Sequence, residues 1–226
     1  MSRFVLEKSE EGLRLTDTFV RQNPLLIDFS SGYFSHRLKN ITFKKELIAR
    51  AVGAKSLAKV LDCTGGLGRD AFLLASLGCC VTMIERSQVL ALLLKDALKR
   101  ALRHPDLVDI AMRINLLAMD ARHYLSRMDV VPDVIILDPM FPDRKKSAKV
   151  KGDMQIVQRF LGKDDDVWAL FDSAMNTQCP RVVMKRPLYD KSKLPVKPTN
   201  TMMGSSVRFD ISVSYTHLTL PTILRV

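Results

Sequence analysis

Four short apolar segments in the middle of the chain each end on or beside a carboxylate. Stretches with helical spacing of their apolar residues lie between successive segments. Strands that are apolar throughout and alternate with helices are typical of a mostly parallel sheet that helices cover on both faces. Ligands of such α/β sheets bind at the carboxyl ends of the strands, so the pattern predicts a ligand cleft there. The segments are 58–63, 79–84, 114–119 and 134–137, and the carboxylates are Asp62, Glu85, Asp120 and Asp138.

Further elements follow from periodicity and from the positions of glycine and proline. Three more strands are predicted, at 181–184, at 207–212 and, as a short strand, within 23–29. Helices are predicted at 43–52, 69–77, 89–102, 154–161 and 167–175. The regular part of the chain predicts one main domain at 56–212, with an N-terminal extension at 1–55 and a tail at 213–226.

The chain is strongly basic, with 35 Lys and Arg against 24 Asp and Glu in 226 residues and a net charge of +11. Such an excess favours a polyanionic partner or an acidic membrane surface. The first residues contain no apolar segment of the signal-peptide type, and no apolar run approaches the ~20 residues of a membrane helix. We therefore expect a cytoplasmic protein. The four cysteines lack metal-ligand spacing, which predicts neither a disulfide nor a metal site.

The first strand leads into a turn with three glycines, Gly65, Gly66 and Gly68. Glycines let a backbone approach a ligand closely and turn into the positive end of a helix. The same spacing fits the G-x-G-x-x-A form of dinucleotide sites, so NAD(P) stays an alternative, as does a tight turn without a ligand. Arg69 and Asp70, however, place a cation and an anion at the helix start. That pair suits a zwitterionic ligand such as the amino-acid part of S-adenosylmethionine.

The carboxylates after the second and third strands suit the nucleoside part of such a ligand. Glu85 lies 20 residues after Gly65, where a carboxylate can accept hydrogen bonds from both ribose hydroxyls. Asp120 could accept from an adenine amino group, although a lone aspartate at this position is also a common helix cap. Together with Asp62 before the turn, these residues predict an adenosine-containing ligand.

The fourth strand ends in Asp138-Pro139-Met140-Phe141, which resembles the (Asp/Asn/Ser)-Pro-Pro-(Tyr/Phe) motif of amino-nitrogen methyltransferases. A planar amine conjugated to a base is a poor nucleophile because its lone pair is spread into the ring. The Asp138 carboxylate and the Pro139 carbonyl could accept its two hydrogens, and Phe141 could stack on the base. We therefore predict Asp138, Pro139 and Phe141 as catalytic residues, the alternative being a plain X-Pro turn.

A basic run with five Lys or Arg in eight positions follows this motif directly. A run of this kind is often only a solvated face, but its place beside the predicted site favours contacts with RNA phosphates. Two shorter basic pairs would enlarge the same surface. The predicted RNA-binding residues are Arg144, Lys145, Lys146 and Lys149 of the run, with Lys185, Arg186, His36 and Arg37.

Several of these segments resemble one bacterial family, the small-subunit (16S) ribosomal RNA guanine-N2 methyltransferases of the RsmJ type. The matching segments are 67–78, 83–86, 137–142, 144–151, 183–187 and 206–211. The resemblance implies a Rossmann-like class I fold that uses S-adenosylmethionine, and small-subunit ribosomal RNA as the substrate. The resemblance covers roughly residues 30–211. The implied cofactor contacts are Arg69 and Asp70, Glu85 and Arg86, Asp120 and Ala121, and Asp138.

The chain departs from the family pattern at four places. The family has two serines at positions 120–121 and a glycine-rich stretch where this chain has 40–45. It has Asp-Ala-Thr-Ala-Gly at 62–66, a mild change. The tail at 213–226 resembles nothing in the family and reads like translated sequencing-adapter read-through, so we expect it to be foreign and the native C-terminus to be missing.

Three alternatives to guanine methylation remain open at this point. The Asp-Pro-x-Phe arrangement would serve an amino-nitrogen methyltransferase acting on adenine or on a protein glutamine equally well. An NAD(P)-dependent oxidoreductase fits the glycine turn and Glu85 but leaves the motif at 138–141 without a role. A non-enzymatic RNA-binding protein fits the net charge but leaves the four carboxylates without a purpose.

Overall fold

The computed structural model describes residues 2–30, 32–53, 56–141, 152–162 and 165–213. Its first element is a three-stranded antiparallel sheet formed by β1 (Phe4–Ser9), β2 (Gly12–Asp17) and β3 (Leu25–Leu26). The predicted strand within 23–29 is confirmed only over the two residues of β3. The β1–β2 hairpin was not predicted, because its residues alternate too weakly between apolar and polar to stand out.

A seven-stranded sheet follows, in the spatial order β6-β5-β4-β7-β8-β10-β9. Its first five strands are parallel, and β10 runs antiparallel to both β8 and β9. The strands are β4 (Lys59–Asp62), β5 (Cys80–Glu85), β6 (Ile114–Ala118), β7 (Val134–Leu137), β8 (Arg181–Pro187), β9 (Asn200–Met203) and β10 (Val207–Val213).

Helices cover both faces of this sheet. Successive residues of β7 alternate between two hydrophobic clusters, because side chains along a strand point to opposite faces. Ile136 belongs to the cluster with Phe72 and Leu94, whereas Ile135 belongs to the cluster with Phe171. The helices are α1 (Gly32–Lys39), α2 (Leu47–Val52), α3 (Arg69–Ser76), α4 (Gln88–Ala101), α5 (Val108–Ala111), α6 (Ala121–Leu125), α7 (Gly152–Leu161) and α8 (Val167–Asn176). The predicted mostly parallel, doubly covered sheet is confirmed.

The N-terminal region packs into the same core as the large sheet. Leu15 and Leu25 are buried in the cluster that contains Phe72, and the Phe29 ring stacks on the Phe72 ring at 4.1 Å between centroids. The backbone N–H of Leu13 donates to an Asp96 carboxylate oxygen on α4 at 3.1 Å. Residues 1–55 were predicted as an extension, and their described part shares its hydrophobic core with the main sheet.

Several element boundaries differ from the prediction. The helix predicted at 43–52 begins only at Leu47, since a turn that starts at Thr42 precedes it, and it ends as expected at Gly53, with φ of +61°. The last strand extends one residue further than predicted, and Val213 pairs with Arg181. The predicted tail thus begins one residue too early, and residues 214–226 lie outside the described residues. None of the helices in the described ranges is long and apolar enough to cross a membrane.

Candidate functional site

A cavity of about 330 Å³ lies at the carboxyl ends of the parallel strands. This volume falls within the ~300–1,000 Å³ that is usual for small-molecule sites. The predicted site residues on its wall are Arg37, Asp62, Gly66, Arg69, Asp70, Glu85, Arg86, Asp120, Ala121, Asp138, Pro139 and Lys185. Residues from six separate regions of the sequence therefore meet at one edge of the sheet.

The glycine turn after β4 is held against the end of β5. The N–H of Gly65 donates to the carbonyl of Ile84 at 2.8 Å, and a Cβ at Gly65 would meet that carbonyl oxygen at 3.1 Å. The N–H of Gly66 donates to Glu85 Oε2 at 2.7 Å. Gly68 was also predicted to contact a cofactor, but it is not among the residues that line the cavity, and this contact stays a prediction. Its missing Cβ faces the core, where it would lie 2.8 Å from Leu94 Cδ2.

Glu85 is buried and fixes two loops at once. Its Oε2 accepts from the Gly66 N–H, and its Oε1 accepts from the Ser87 N–H at 2.7 Å. A carboxylate has about four acceptor positions, so backbone bonds to each oxygen still allow it to accept from a ligand. Two ligand hydroxyls, as on a ribose, fit this arrangement.

Asp120 caps a helix and also faces the cavity. Its carboxylate accepts from the Arg122 N–H at 2.8 Å, as an N-cap of α6, and pairs with the Arg122 guanidinium at 3.0 Å. The Arg122 hydrogen bond lowers the pKa of Asp120 against the opposing effect of burial. Arg122 also reaches Asp166 at 3.3 Å, and Asp166 pairs with Arg86 at 3.0 Å. Both the cap and the position on the wall are therefore observed.

Asp62 and the backbone of Asp138 are linked by Thr64. The N–H of Thr64 donates to Asp62 Oδ1 at 3.0 Å, and the Asp138 N–H donates to Thr64 Oγ1 at 2.7 Å. Burial and, to a smaller extent, the negative charges of Asp70 and Asp138 raise the pKa of Asp62 to about 7, against the Thr64 hydrogen bonds that lower it. Thr64 was not predicted, although its place between Asp62 and the glycines is a signal that sequence reasoning could have used.

Lys185, at the end of β8, lies inside the cavity between two carboxylates. Its Nζ is 2.7 Å from Asp70 Oδ2 and 2.7 Å from Asp138 Oδ2. Burial opposes the charge on Lys185, but the two carboxylates outweigh burial and raise the pKa of the ammonium. The predicted RNA-phosphate contact of Lys185 does not agree with this position, since its ammonium pairs with two carboxylates on the cavity wall.

Three other predicted residues lie apart from the cavity wall. Phe141 packs against the core cluster of Phe171, with the Arg186 guanidinium 5.9 Å from its ring centroid, so the structure does not present it for base stacking. Arg186 is only 2% exposed and pairs with Asp210 at 3.1 Å, which contradicts its predicted phosphate contact. His36 is exposed on α1. Arg37, from the same pair, pairs with Glu46 and lines the cavity.

The basic run at 144–151 lies outside the described residues, so the predictions for Arg144, Lys145, Lys146 and Lys149 stay predictions. Part of the wall was not predicted because no local signal marks it. The apolar faces of α7 and α8 contribute Met154, Val157, Leu161, Val167 and Leu170. These side chains line the cavity because α7 and α8 cover this edge of the sheet, an arrangement that the local sequence does not show. Within the described ranges, no group of three or more His, Cys, Asp or Glu side chains is arranged to hold a metal ion.

Comparisons with known proteins agree with this geometry. Residues 1–214 match the family model described as "Putative SAM-dependent methyltransferase". The chain is 42% identical over 195 residues to the "Ribosomal RNA small subunit methyltransferase J" of Thioalkalivibrio sulfidiphilus, covering 84% of this chain and 76% of the relative. It is 43% identical over 214 residues to the protein of that name from Chromobacterium violaceum, covering 92% of this chain and 83% of the relative.

A solved structure of a SAM-dependent methyltransferase from Neisseria gonorrhoeae matches with a TM-score of 0.73 and 32% identity, covering 93% of this chain and 83% of that chain. This match confirms the predicted Rossmann-like class I fold. Family membership also decides between the two cofactors that the glycine turn left open, in favour of S-adenosylmethionine over NAD(P). The chain belongs to the family of SAM-dependent methyltransferases.

Proposed function

We propose that this enzyme transfers a methyl group from S-adenosylmethionine to the exocyclic N2 amine of a guanine in small-subunit (16S) ribosomal RNA. Relatives at 42% and 43% identity are named for methylation of that RNA, and the basic chain suits an RNA substrate. The observation that carries the proposal is the position of Asp138-Pro139 on the same cavity wall as Glu85. The guanine N2 atom as the target follows from the resemblance of the motifs.

The residues of the cavity fit the cofactor in their chemistry. Glu85 offers acceptors for two ribose hydroxyls, and Asp120 and Ala121, which line the same cavity, would contact the adenine. Arg69 and Asp70, at the start of α3, match the two charges of the amino-acid part. When bound, S-adenosylmethionine supplies a sulfonium methyl group whose bond to sulfur breaks with its electron pair staying on sulfur.

The chain's own residues would prepare the target amine for the transfer. An Asp138 carboxylate oxygen and the Pro139 carbonyl accept the two amine hydrogens, which withdraws the nitrogen lone pair from conjugation and directs it to the methyl carbon. A new nitrogen–carbon bond forms, and the nitrogen then loses one proton to Asp138. Polar groups fixed before the reaction stabilise the developing charge without having to reorganise.

The remaining parts of the chain would hold the RNA. The basic run at 144–151 follows the motif within a few residues and supplies phosphate contacts beside the site. Arg37 lies on the cavity wall and can approach a nucleotide at its mouth. We propose 56–212 as the methyltransferase domain, with 1–55 as an extension packed on it, and the cytoplasm, where ribosomal RNA is made, as its location.

Mapping of methylated nucleotides tests the substrate. Purified protein, S-adenosylmethionine and small-subunit RNA or subunits from cells lacking the enzyme should yield N2-methylguanine at one position of 16S RNA. Methylation of an adenine in that RNA, or of a protein glutamine in the subunit, would mean that the corresponding alternative substrate is the right one. Binding of S-adenosylhomocysteine with no transfer to any ribosomal component would contradict the proposal.

A further inference from the structure

A partly buried cation, Lys185, contacts the carboxylate at which the target amine is proposed to bind. The Lys185 ammonium bridges Asp70 and Asp138 at 2.7 Å to each; the Lys185 and Asp70 side chains are 22% exposed, and the Asp138 side chain is 39% exposed. Ion pairs between exposed side chains contribute little, but partial burial and two carboxylate partners make this contact much less sensitive to water. The sequence analysis predicted only an RNA-phosphate contact for Lys185, and the cofactor contacts that the resemblance implies do not include it.

The sheet topology creates this contact. Strands β7 and β8 are parallel neighbours, and Leu137 pairs with Met184. Asp138 directly follows β7 and Lys185 directly follows Met184 within β8, so the two residues lie side by side at this edge of the sheet. Asp70 approaches from the first turn of α3, and the Asp138 backbone is held separately by Thr64. Asp138 is thus held at two points, through its backbone N–H by Thr64 and through its carboxylate by Lys185.

We propose that Lys185 is a positioning residue for the methyl transfer, which holds Asp138 through Oδ2 so that Oδ1 is directed to the target amine. This inference rests on the proposed function. Among the described residues, every recorded hydrogen bond to the Asp138 carboxylate reaches Oδ2 from Lys185. An ammonium donates hydrogens and accepts none, so it fixes the carboxylate without competing for the amine.

Lys185 would also keep Asp138 in the form that accepts a hydrogen. Burial raises the pKa of Asp138, the Lys185 ammonium opposes that rise, and Asp70 adds to it. Among the residues that the structure describes, the charged groups that face the carboxylate are Asp62 on β4, Asp70 on α3 and Lys185 on β8. Without the ammonium, two carboxylates and burial would all favour protonation, and a protonated carboxyl is a poorer acceptor for the amine.

The test compares Lys185→Met, Lys185→Gln and Lys185→Arg in single-turnover methyl transfer as a function of pH. The Met and Gln variants should lose roughly 10²-fold in rate, as expected for a lost preorganised contact, and the acid limb of their pH profiles should move to higher pH. Arg keeps the charge and can bridge two carboxylates, so it should restore part of the rate and move the limb back. Lys59→Met removes the same charge at the opposite end of β4 and should behave as wild type.

Two outcomes would overturn the inference. One is a wild-type rate and pH profile in the folded Met or Gln variant. The other is an equal loss at every pH that Arg does not relieve, which would indicate a purely structural role. Carbon-13 titration of the Asp138 carboxyl, without RNA, separates this inference from the proposed function. The pKa of Asp138 should be higher in Lys185→Gln than in wild type, even if the enzyme proved to methylate another target. An unchanged pKa would show that Lys185 does not act on the Asp138 carboxylate.

Discussion

At the scale of single residues, Asp62 is a carboxylate on the cavity wall whose burial makes the stability of the fold depend on pH. It ends β4 with its side chain buried, and Thr64 supplies its recorded hydrogen bonds. Burial raises its pKa to about 7. Because this folded-state pKa lies above the ordinary value of 3.8, ionisation of Asp62 favours the unfolded chain. Its contribution to stability is full below about pH 4 and is lost as the pH rises through about 7.

We expect Asp62→Asn to flatten the pH dependence of stability. Asn keeps an acceptor for the Thr64 N–H but does not ionise, so above pH 7 the variant should unfold at a higher temperature than wild type. The gain has an upper bound of about 4 kcal/mol from linkage. Thermal melts between pH 4 and pH 8 measure it, with the exposed Asp109→Asn as a control. A variant that remains parallel to wild type across this range would mean that Asp62 stays ionised in the folded enzyme.

Asp138 has two possible roles, and substitution distinguishes them. If it only ends a strand, Asp138→Asn should retain activity. If it orients the amine, Asp138→Asn keeps an acceptor oxygen but loses the negative charge that stabilises the positive charge developing on the nitrogen. Asp138→Ala loses both the acceptor and the charge. We expect single-turnover transfer to fall ~10²–10³-fold in Asp138→Ala and less in Asp138→Asn.

The control for Asp138 is Asp109→Ala, in α5 before the start of β6 and therefore at the opposite edge of the sheet. It should transfer at the wild-type rate. S-adenosylhomocysteine affinity should change less than the rate in both Asp138 variants. An Asp138→Ala protein that folds, binds RNA and methylates normally would exclude the proposed mechanism.

At the scale of elements, the turn between β4 and α3 contributes one glycine to the cavity wall and another to core packing. Gly66 and Gly68 both have positive φ, at +54° and +69°. A Cβ on Gly66 would meet little, with its nearest neighbour 3.7 Å away, whereas one on Gly68 would clash with Leu94 at 2.8 Å and approach Phe29 at 3.2 Å. Gly66 lines the cavity, and Gly68 allows α3 to pack closely on α4.

The two glycines should therefore respond differently to alanine. Gly68→Ala carries both backbone strain and overpacking and should lower the free energy of unfolding by about 2–4 kcal/mol. Gly66→Ala shares only the strain, about 1–2 kcal/mol, but places a methyl group at the ligand wall and should weaken S-adenosylhomocysteine binding more. Urea unfolding and calorimetric titration measure the two effects. Equal losses of stability would show that the contact with Leu94 adjusts at no cost.

At the scale of the whole molecule, the N-terminal hairpin and the large sheet depend on each other. Asp17 of β2 is buried and pairs with Arg159 of α7 at 2.8 Å, while α7 itself forms part of the cavity wall. Arg69, at the other side of the cavity, pairs with Asp153 of α7 at 2.6 Å. This helix, which forms part of the cavity wall, is thus held by both the N-terminal sheet and the start of α3.

The C-terminal segment should matter much less. We predict that removing 214–226 leaves the stability unchanged within about 0.5 kcal/mol, the usual range for changes away from packed features, and leaves S-adenosylhomocysteine binding intact. The truncation keeps Val213, which pairs with Arg181 in β10. Thermal melts of both proteins measure the effect. A large loss would show that the apolar stretch at 218–224 packs as an added edge strand.

The sequence by itself determined the α/β class, the edge of the sheet that carries the site and most of its polar wall. These follow from local patterns, because a buried parallel strand is apolar throughout and the chemistry lies where it ends. Asp62, Glu85, Asp120 and Asp138 were found in this way, and all four lie on the cavity wall. Only the tertiary structure decided which side chains are placed by contacts with residues distant in the sequence. The pairing of β7 with β8 places Lys185 beside Asp138. The close approach of α3 and α4 requires a glycine at position 68, next to Leu94. An ion pair with Asp210 keeps Arg186 buried. Each of these contacts joins residues that are far apart in the chain, and no local periodicity encodes such a pair.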